Sequence, residues 1–268
     1  MSSLFQAAVL GVVQGLTEFL PVSSSAHLIL ARLFFGFDAD KFGLAFDVAC
    51  HVGTLIAVLI YFRTEIGRLI AALPRLFDLT DPDARVIWLL AIGTLPAVVV
   101  GLLFKHQIED ELRTPAIAAS MLAVGGLLFF VAEAVGSKTR SESSLTFGEA
   151  ALIGCAQALA LVPGVSRSGA TITAALFIGL RRAEAARFIF LLAIPAILGA
   201  AASEAPKLLK AGLGDTASPF LIGIVASAIV GYAAVKYFIR YLGNHSLAVF
   251  AWYRLALAAA VAIWLWRA

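Results

Sequence analysis

Two short stretches of this chain hold most of the residues that could do chemistry. Residues 14–27 read QGLTEFLPVSSSAH and bring together Gln14, Thr17, Glu18, Ser23, Ser24, Ser25 and His27. Gln14 and Glu18, four residues apart, share a helical face, and Pro21 then removes a backbone donor and ends or kinks that helix ahead of the serines. Residues 163–171 read PGVSRSGAT: Pro163 and Gly164 break a helix, Ser166, Arg167, Ser168 and Thr171 supply donors, and Gly169 lets backbone approach a ligand. Amides, hydroxyls and a guanidinium at a helix start make an anion cradle. An acid, hydroxyls and an imidazole facing such a clamp suit phosphoryl transfer, which needs in-line positioning of a nucleophile and stabilisation of charge on the equatorial oxygens.

The elements that position these residues are membrane helices. The chain has 268 residues, 61% hydrophobic and only 14% charged, with a mean hydropathy of +0.96, whereas a soluble domain is roughly 25% charged. Six segments approach the ~20 apolar residues needed to cross the hydrocarbon core: 43–62, 86–104, 115–135, 187–202, 219–238 and 248–266. The stretch 134–149 reads as a connecting loop. The first basic residue is Arg32, so the start lacks the basic n-region of a cleaved signal peptide and is expected to be retained. Cys50 and Cys155 lie in apolar segments without metal-type spacing and read as buried small hydrophobes with no disulfide. A net charge of +3 with scattered basic residues excludes a nucleic-acid surface.

The two polar stretches are copies of each other. Sliding residues 10–36 by 143 positions lays them over 153–179 with eleven identities in 27 positions, among them Gln14 on Gln157, Ser23 on Ser166, Ser25 on Ser168 and Gly36 on Gly179. The reading is an all-α polytopic membrane protein with an inverted-topology internal repeat, residues 1–143 and 144–268. Each repeat has a re-entrant helix-loop-helix segment, 3–30 or 147–178, followed by three transmembrane helices. An odd number of crossings inverts the second copy, and broken segments at corresponding positions point to a site near the midplane. Under this topology Arg63, Arg68, Arg75, Arg85, Lys138, Arg140, Arg181, Arg182, Arg187, Lys236 and Arg240 fall on one side, and Arg32, Lys41, Lys105, Arg113, Lys207, Lys210 and Arg267 on the other. The bias places the first set in the cytoplasm and both termini outside.

A carboxylate at the bilayer centre costs about 2.5–3.5 kcal/mol on insertion scales, so Glu18 needs a partner, with His27, Arg167 and a bound cation as the candidates. Arg167 likewise needs Glu18 or an anionic ligand. Asp47 with His51, and Tyr253 with Arg254, read as interfacial anchors or interhelical hydrogen bonds.

At these residues the sequence resembles the undecaprenyl-diphosphate phosphatase family, the bacitracin-resistance type called BacA or UppP. The matching motifs are Gln14, Glu18, Pro21 to Ser24 and His27; PGVSRSGAT at 163–171; AFDVACHVGTLIAVLIYF at 45–62; VGGLL at 124–128; and AWYR at 251–254. The resemblance covers essentially the whole chain. It implies a multi-pass enzyme of the bacterial inner membrane that removes the terminal phosphate of a C55 polyprenyl diphosphate, regenerating lipid carrier for peptidoglycan synthesis. It also implies a pocket opening to the periplasmic side and support by a divalent cation, Mg or Ca. Carried over by position, Glu18, Ser24, His27 and Arg167 are the catalytic residues, with Gln14, Ser23, Ser25, Ser166, Ser168, Gly169 and Thr171 as substrate-binding groups and Glu18 as a metal ligand. Where the family has a second Glu, this chain has Gln14, which weakens any scheme needing two carboxylates on one metal; Glu18 with substrate phosphates and water would have to suffice.

In the mechanism this suggests, Ser24 attacks phosphorus or positions a water, and His27, oriented by Glu18, is the base and later the acid; His27 as direct nucleophile stays open. Its partners are a polyprenyl diphosphate and membrane lipid, with no nucleic acid, and a homodimer is compatible with it. The rival classes are an inverted-repeat transporter or lipid-phosphate flippase, which shares the fold signature but does not need these groups, and an intramembrane serine hydrolase, which leaves Arg167 unused.

Overall fold

The computed structural model describes residues 2–38, 41–211 and 217–267; the side chains of Glu109 and of residues 204–211, among them Lys207 and Lys210, lie outside the described set. The described residues form eleven α-helices: α1 Ser3–Phe19, α2 Ser24–Phe35, α3 Leu44–Tyr61, α4 Arg63–Ala72, α5 Pro82–Leu103, α6 Pro115–Val135, α7 Phe147–Leu159, α8 Arg167–Phe177, α9 Arg182–Ala211, α10 Ala217–Leu242 and α11 Ala248–Arg267. Six of them, α3, α5, α6, α9, α10 and α11, are long and apolar enough to cross a membrane. All six predicted segments are therefore present, and the chain is an all-α polytopic membrane protein.

Local chemistry sets the helix ends where hydropathy could not. Helix α5 starts four residues before its apolar run because Asp81 accepts from the amides of Asp83 and Ala84 and Pro82 occupies the first turn. Helix α9 begins at Arg182, ahead of the predicted 187, and α4 is an additional polar helix between the first two spans. At the start of α7, Thr146 and Glu149 cap each other reciprocally. Hydrogen bonds from Arg140, aided by the Thr146 amide and hydroxyl, pull the Glu149 carboxyl down to about 2.

Small residues let the helices approach closely. A Cβ added at Gly11 of α1 would lie 2.7 Å from the Gly223 carbonyl oxygen of α10, and one at Gly15 would lie 2.9 Å from the Gly231 nitrogen. The matching contact in the second half sets Gly154 of α7 on α5, where a Cβ would lie 2.6 Å from the Gly93 oxygen. The broken pair of each half therefore rests on a long helix of the other half. Phe19, at the end of α1, meets Phe190 of α9 edge to face at 5.3 Å and joins the main apolar core.

Ion pairs gather at two levels. Arg187 bonds Glu65, Arg182 bonds Glu133, and Arg140 bonds both Glu149 at the start of α7 and the Ile178 carbonyl at the end of α8. Separately, Asp47 receives Arg32 and Arg113, joining α2, α3 and the entrance to α6. One expectation is corrected here: Cys50 is buried, but Cys155 is exposed on α7, next in sequence to Gly154, which packs on α5. Both are free thiols.

The glycine contacts give a direct test. Gly11→Ala and Gly154→Ala should each lower stability by at least about 1 kcal/mol through overpacking, read as a lower unfolding temperature in detergent. Gly148→Ala, where a Cβ meets nothing within 4 Å, should leave it unchanged or slightly raised.

Candidate active site

The two broken helix pairs converge. Each break ends at a serine with positive φ, Ser23 at 73° and Ser166 at 72°, in a region that side chains other than glycine rarely occupy. Serine is used there because its hydroxyl caps the next helix: Ser23 Oγ accepts from the Ala26 amide, and Ser166 Oγ accepts from the Gly169 amide at 3.1 Å. The two positions are the pair matched by the 143-residue slide.

Glu18, in the last turn of α1, lies at the centre with its side chain 4% exposed. Its Oε1 receives Arg167, 149 residues away in the chain. Its Oε2 accepts from Gln14 Nε2 at 2.9 Å and from Ser24 Oγ at 2.6 Å, and lies 3.2 Å from His51 Nε2. The carboxylate thus has Arg167 as its cation, one of the partners expected. Ser24, the first residue of α2, is the half-buried hydroxyl that touches it. Gln14, wholly buried, spends its amide N–H on Glu18, leaving its Oε1 without a partner. Ser168 Oγ reaches back to the Glu18 and Leu20 carbonyls at 3.3 and 3.2 Å, tying the second break to the first.

The other residues singled out from the sequence serve the local scaffold. Ser23 and Ser25 bond each other at 3.1 Å, and Ser166 and Ser168 do so at 3.2 Å. Thr171 donates to the Arg167 carbonyl at 2.6 Å within its own helix. Gly169 makes room for Arg254, whose Nη1 would lie 2.8 Å from an added Cβ. His27 does not meet Glu18. Its Nδ1 lies 2.7 Å from the Ser23 carbonyl and its Nε2 lies 2.7 Å from the Tyr253 hydroxyl, so the expected Glu18–His27 pairing is replaced by Glu18–His51.

Three participants, His51, Arg254 and Tyr253, were read from the sequence as interfacial anchors or interhelical hydrogen bonds and not as parts of the site; the interhelical bonds are present. His51 Nδ1 donates to the Asp47 carbonyl at 2.7 Å, so its Nε2 can contact a carboxylate oxygen favourably only with a proton between them. Arg254, 0% exposed, donates to the carbonyls of Leu122, Pro21, Met121, Gly164 and Val165 at 2.9–3.2 Å and lies over the Phe129 ring. Tyr253 holds His27. The signal was available: an ionisable residue within an apolar span is a functional candidate by default.

The donor set does not fit a divalent cation held by the chain. Both Glu18 oxygens are engaged, one by a guanidinium, and among the described residues no three His, Cys, Asp or Glu side chains converge.

Fold and centre together define an integral membrane protein whose interior brings an acid, a serine and an arginine from two broken helix pairs to one point. Residues 7–260 match the family model described as bacitracin resistance protein BacA, and the chain belongs to that family. Proteins named undecaprenyl-diphosphatase resemble it over nearly their whole length. The one from Rubrobacter xylanophilus is 51% identical over 267 residues, covering 98% of each chain. That from an Arthrobacter species is 45% identical, covering 96% of this chain and 92% of its own. That from Desulforudis audaxviator is 42% identical, covering 97% of each.

Arg254→Met should leave several carbonyls at both breaks unpaired at about 1–3 kcal/mol each. It is expected to abolish the monodisperse folded peak in detergent chromatography, while Arg181→Met, at a half-exposed ion pair, is not.

Proposed function

We propose that this protein is an undecaprenyl-diphosphate phosphatase, removing the terminal phosphate of the C55 lipid diphosphate and so recycling the lipid carrier for cell-wall synthesis. The observation that carries the reading at the site is the meeting of Glu18, Ser24 and Arg167 across 149 residues of chain. Neither a transporter nor a serine hydrolase acting on a carbonyl needs a guanidinium set against a carboxylate-bound hydroxyl.

The chemistry follows from those contacts. Arg167 is held by Glu18, so the incoming diphosphate competes for a guanidinium that can receive it bidentately, and exchange of partners frees the carboxylate. The first-turn amides of Arg167 and Ser168, which have no intrahelical acceptor, face the same anion. Ser24 Oγ then attacks the terminal phosphorus, passing its proton to Glu18 Oε2, and the bond to the bridging oxygen of the lipid monophosphate breaks. Water afterwards cleaves the phosphoserine, releasing inorganic phosphate. His27 acts as the acid–base group for the leaving oxygen and that water, and His51, beside Glu18, keeps the carboxylate oriented.

A divalent cation such as Mg or Ca would find its ligands mainly on the substrate's phosphates, where it would offset their charge. Both broken pairs are read as re-entrant, supported for α7–α8 by Arg140, which bonds both of its outer ends. We place the protein in the bacterial plasma membrane, with the Arg140 end inside and the site opening outward.

In detergent with a polyprenyl diphosphate, Arg167→Lys should lose at least about 100-fold in kcat/KM, because a point cation cannot reproduce the planar fork; near-wild-type phosphate release would remove Arg167 from the site. Rapid quench with a substrate labelled in the terminal phosphate should trap label on Ser24, and none should remain in Ser24→Ala. Calorimetric titration of Mg into the lipid-free protein should show no site tighter than about millimolar, since one carboxylate already bound to a guanidinium offers too few ligands.

A further inference from the structure

Tyr253 has a geometry that membrane anchoring does not require. It lies in the second turn of α11, half exposed, with its ring parallel to that of His27 within 8° and the centroids 5.7 Å apart. Its hydroxyl is 2.7 Å from His27 Nε2. An interfacial tyrosine keeps its hydroxyl among headgroups and water, whereas this one is committed to an imidazole nitrogen from a different part of the chain. Its place is fixed by its neighbour: Arg254, bonded to carbonyls at both breaks, pins the register and rotation of α11.

Counting protons on His27 defines what the contact does. The Ser23 carbonyl only accepts, so Nδ1, 2.7 Å away, carries hydrogen. The lone pair of the neutral ring is then on Nε2, and Nε2 is the atom that must lose and regain a proton in any acid–base role. A carboxylate there would favour the imidazolium, and a backbone amide would favour the neutral ring. A phenol hydroxyl serves both: it donates to the lone pair of the neutral ring and accepts from the N–H of the charged one. Beside His27, Ala26 packs against Ala118 and Leu122 of α6 and Ala258 of α11, while Ser24 on the same turn of α2 is bonded to Glu18, and the charged group from α11 is Arg254, whose donors are spent on carbonyls.

We propose that Tyr253 is a positioning residue for the phosphatase reaction. It holds the plane of the His27 ring, whose Nδ1–H tautomer the Ser23 carbonyl sets, and keeps Nε2 hydrogen-bonded in both protonation states, so that proton exchange at that atom needs rotation of one hydroxyl and no movement of the histidine. The assignment rests on the reading of His27 as the acid–base group, and the test separates the two.

Three variants, Tyr253→Phe, His27→Asn and the double variant, are compared with wild type for release of phosphate from a polyprenyl diphosphate, each checked for an unchanged unfolding temperature. Phe keeps the ring and removes only the hydroxyl. Tyr253→Phe should lower kcat by about tenfold with KM unchanged, His27→Asn by about 100-fold or more, and the double variant should be no slower than His27→Asn alone, because the tyrosine acts through the histidine. A kcat for Tyr253→Phe within twofold of wild type, or a double variant slower than His27→Asn by the full Tyr253 factor, would overturn the proposal. Wild-type turnover by His27→Asn would instead remove His27 from acid–base chemistry, and the role of Tyr253 with it. Nitrogen-15 resonances of His27 give a readout independent of turnover: Nε2 of the neutral wild-type ring has the shift of a hydrogen-bonded acceptor, and in Tyr253→Phe it moves toward that of a free imidazole nitrogen. An Nε2 resonance unchanged in the variant would likewise overturn the assignment.

Discussion

Everything in the centre of this protein depends on one buried guanidinium. Two helix pairs interrupted in the protein interior leave buried carbonyl groups that need donors, and an arginine buried beside them is costly on its own. Arg254 answers both problems at once. Its donors reach Pro21 at the first break, Gly164 and Val165 at the second, and Met121 and Leu122 on α6. Gly125 on α6 and Gly169 on α8 leave the space for it, since a Cβ at either would collide with the guanidinium. The VGGLL and AWYR motifs, which carry no reacting group, are two sides of this one contact.

Around that clamp the polar groups divide by role. Ser23, Ser166, Ser168 and Thr171 satisfy backbone at the breaks and set the starts of α2 and α8. Gln14, His51 and Arg167 converge on Glu18, and Ser24 is the hydroxyl left half exposed beside it. A carboxylate so fully engaged is rigid. It becomes available only when another anion takes the guanidinium, and this links capture of a phosphate to activation of the serine next to it.

Much of this was legible in the sequence for physical reasons. Hydropathy over about 20 residues finds spanning helices because lipid leaves few other solutions, and all six are where they were expected, with ends moved by caps such as Asp81 that hydropathy ignores. The convergence of Glu18 and Arg167 followed from charge: neither can remain alone in an apolar interior. What could not be read was the choice among partners. Glu18 meets His51 rather than His27 because α3 presents its second turn to α1, a matter of helix rotation that the spacing of residues on α1 and α2 does not contain. Cys155 was expected to be buried from the apolar character of its segment, but in a bilayer apolar character does not separate an interior face from a lipid-facing one, and it is exposed.

The distance along the chain between Glu18 and Arg167 has a consequence for how the protein is made. At about 5–20 residues per second, translation of the intervening 149 residues takes roughly 7–30 s. Throughout that interval the acid is already at or in the bilayer while its cation, and the α10 surface on which α1 rests, have yet to emerge from the ribosome. Nascent α1 must spend that time protonated, at the lipid surface or sheltered by the insertion machinery. Final seating of the amino-terminal helix is therefore one of the last events of biogenesis, although that helix is synthesised first.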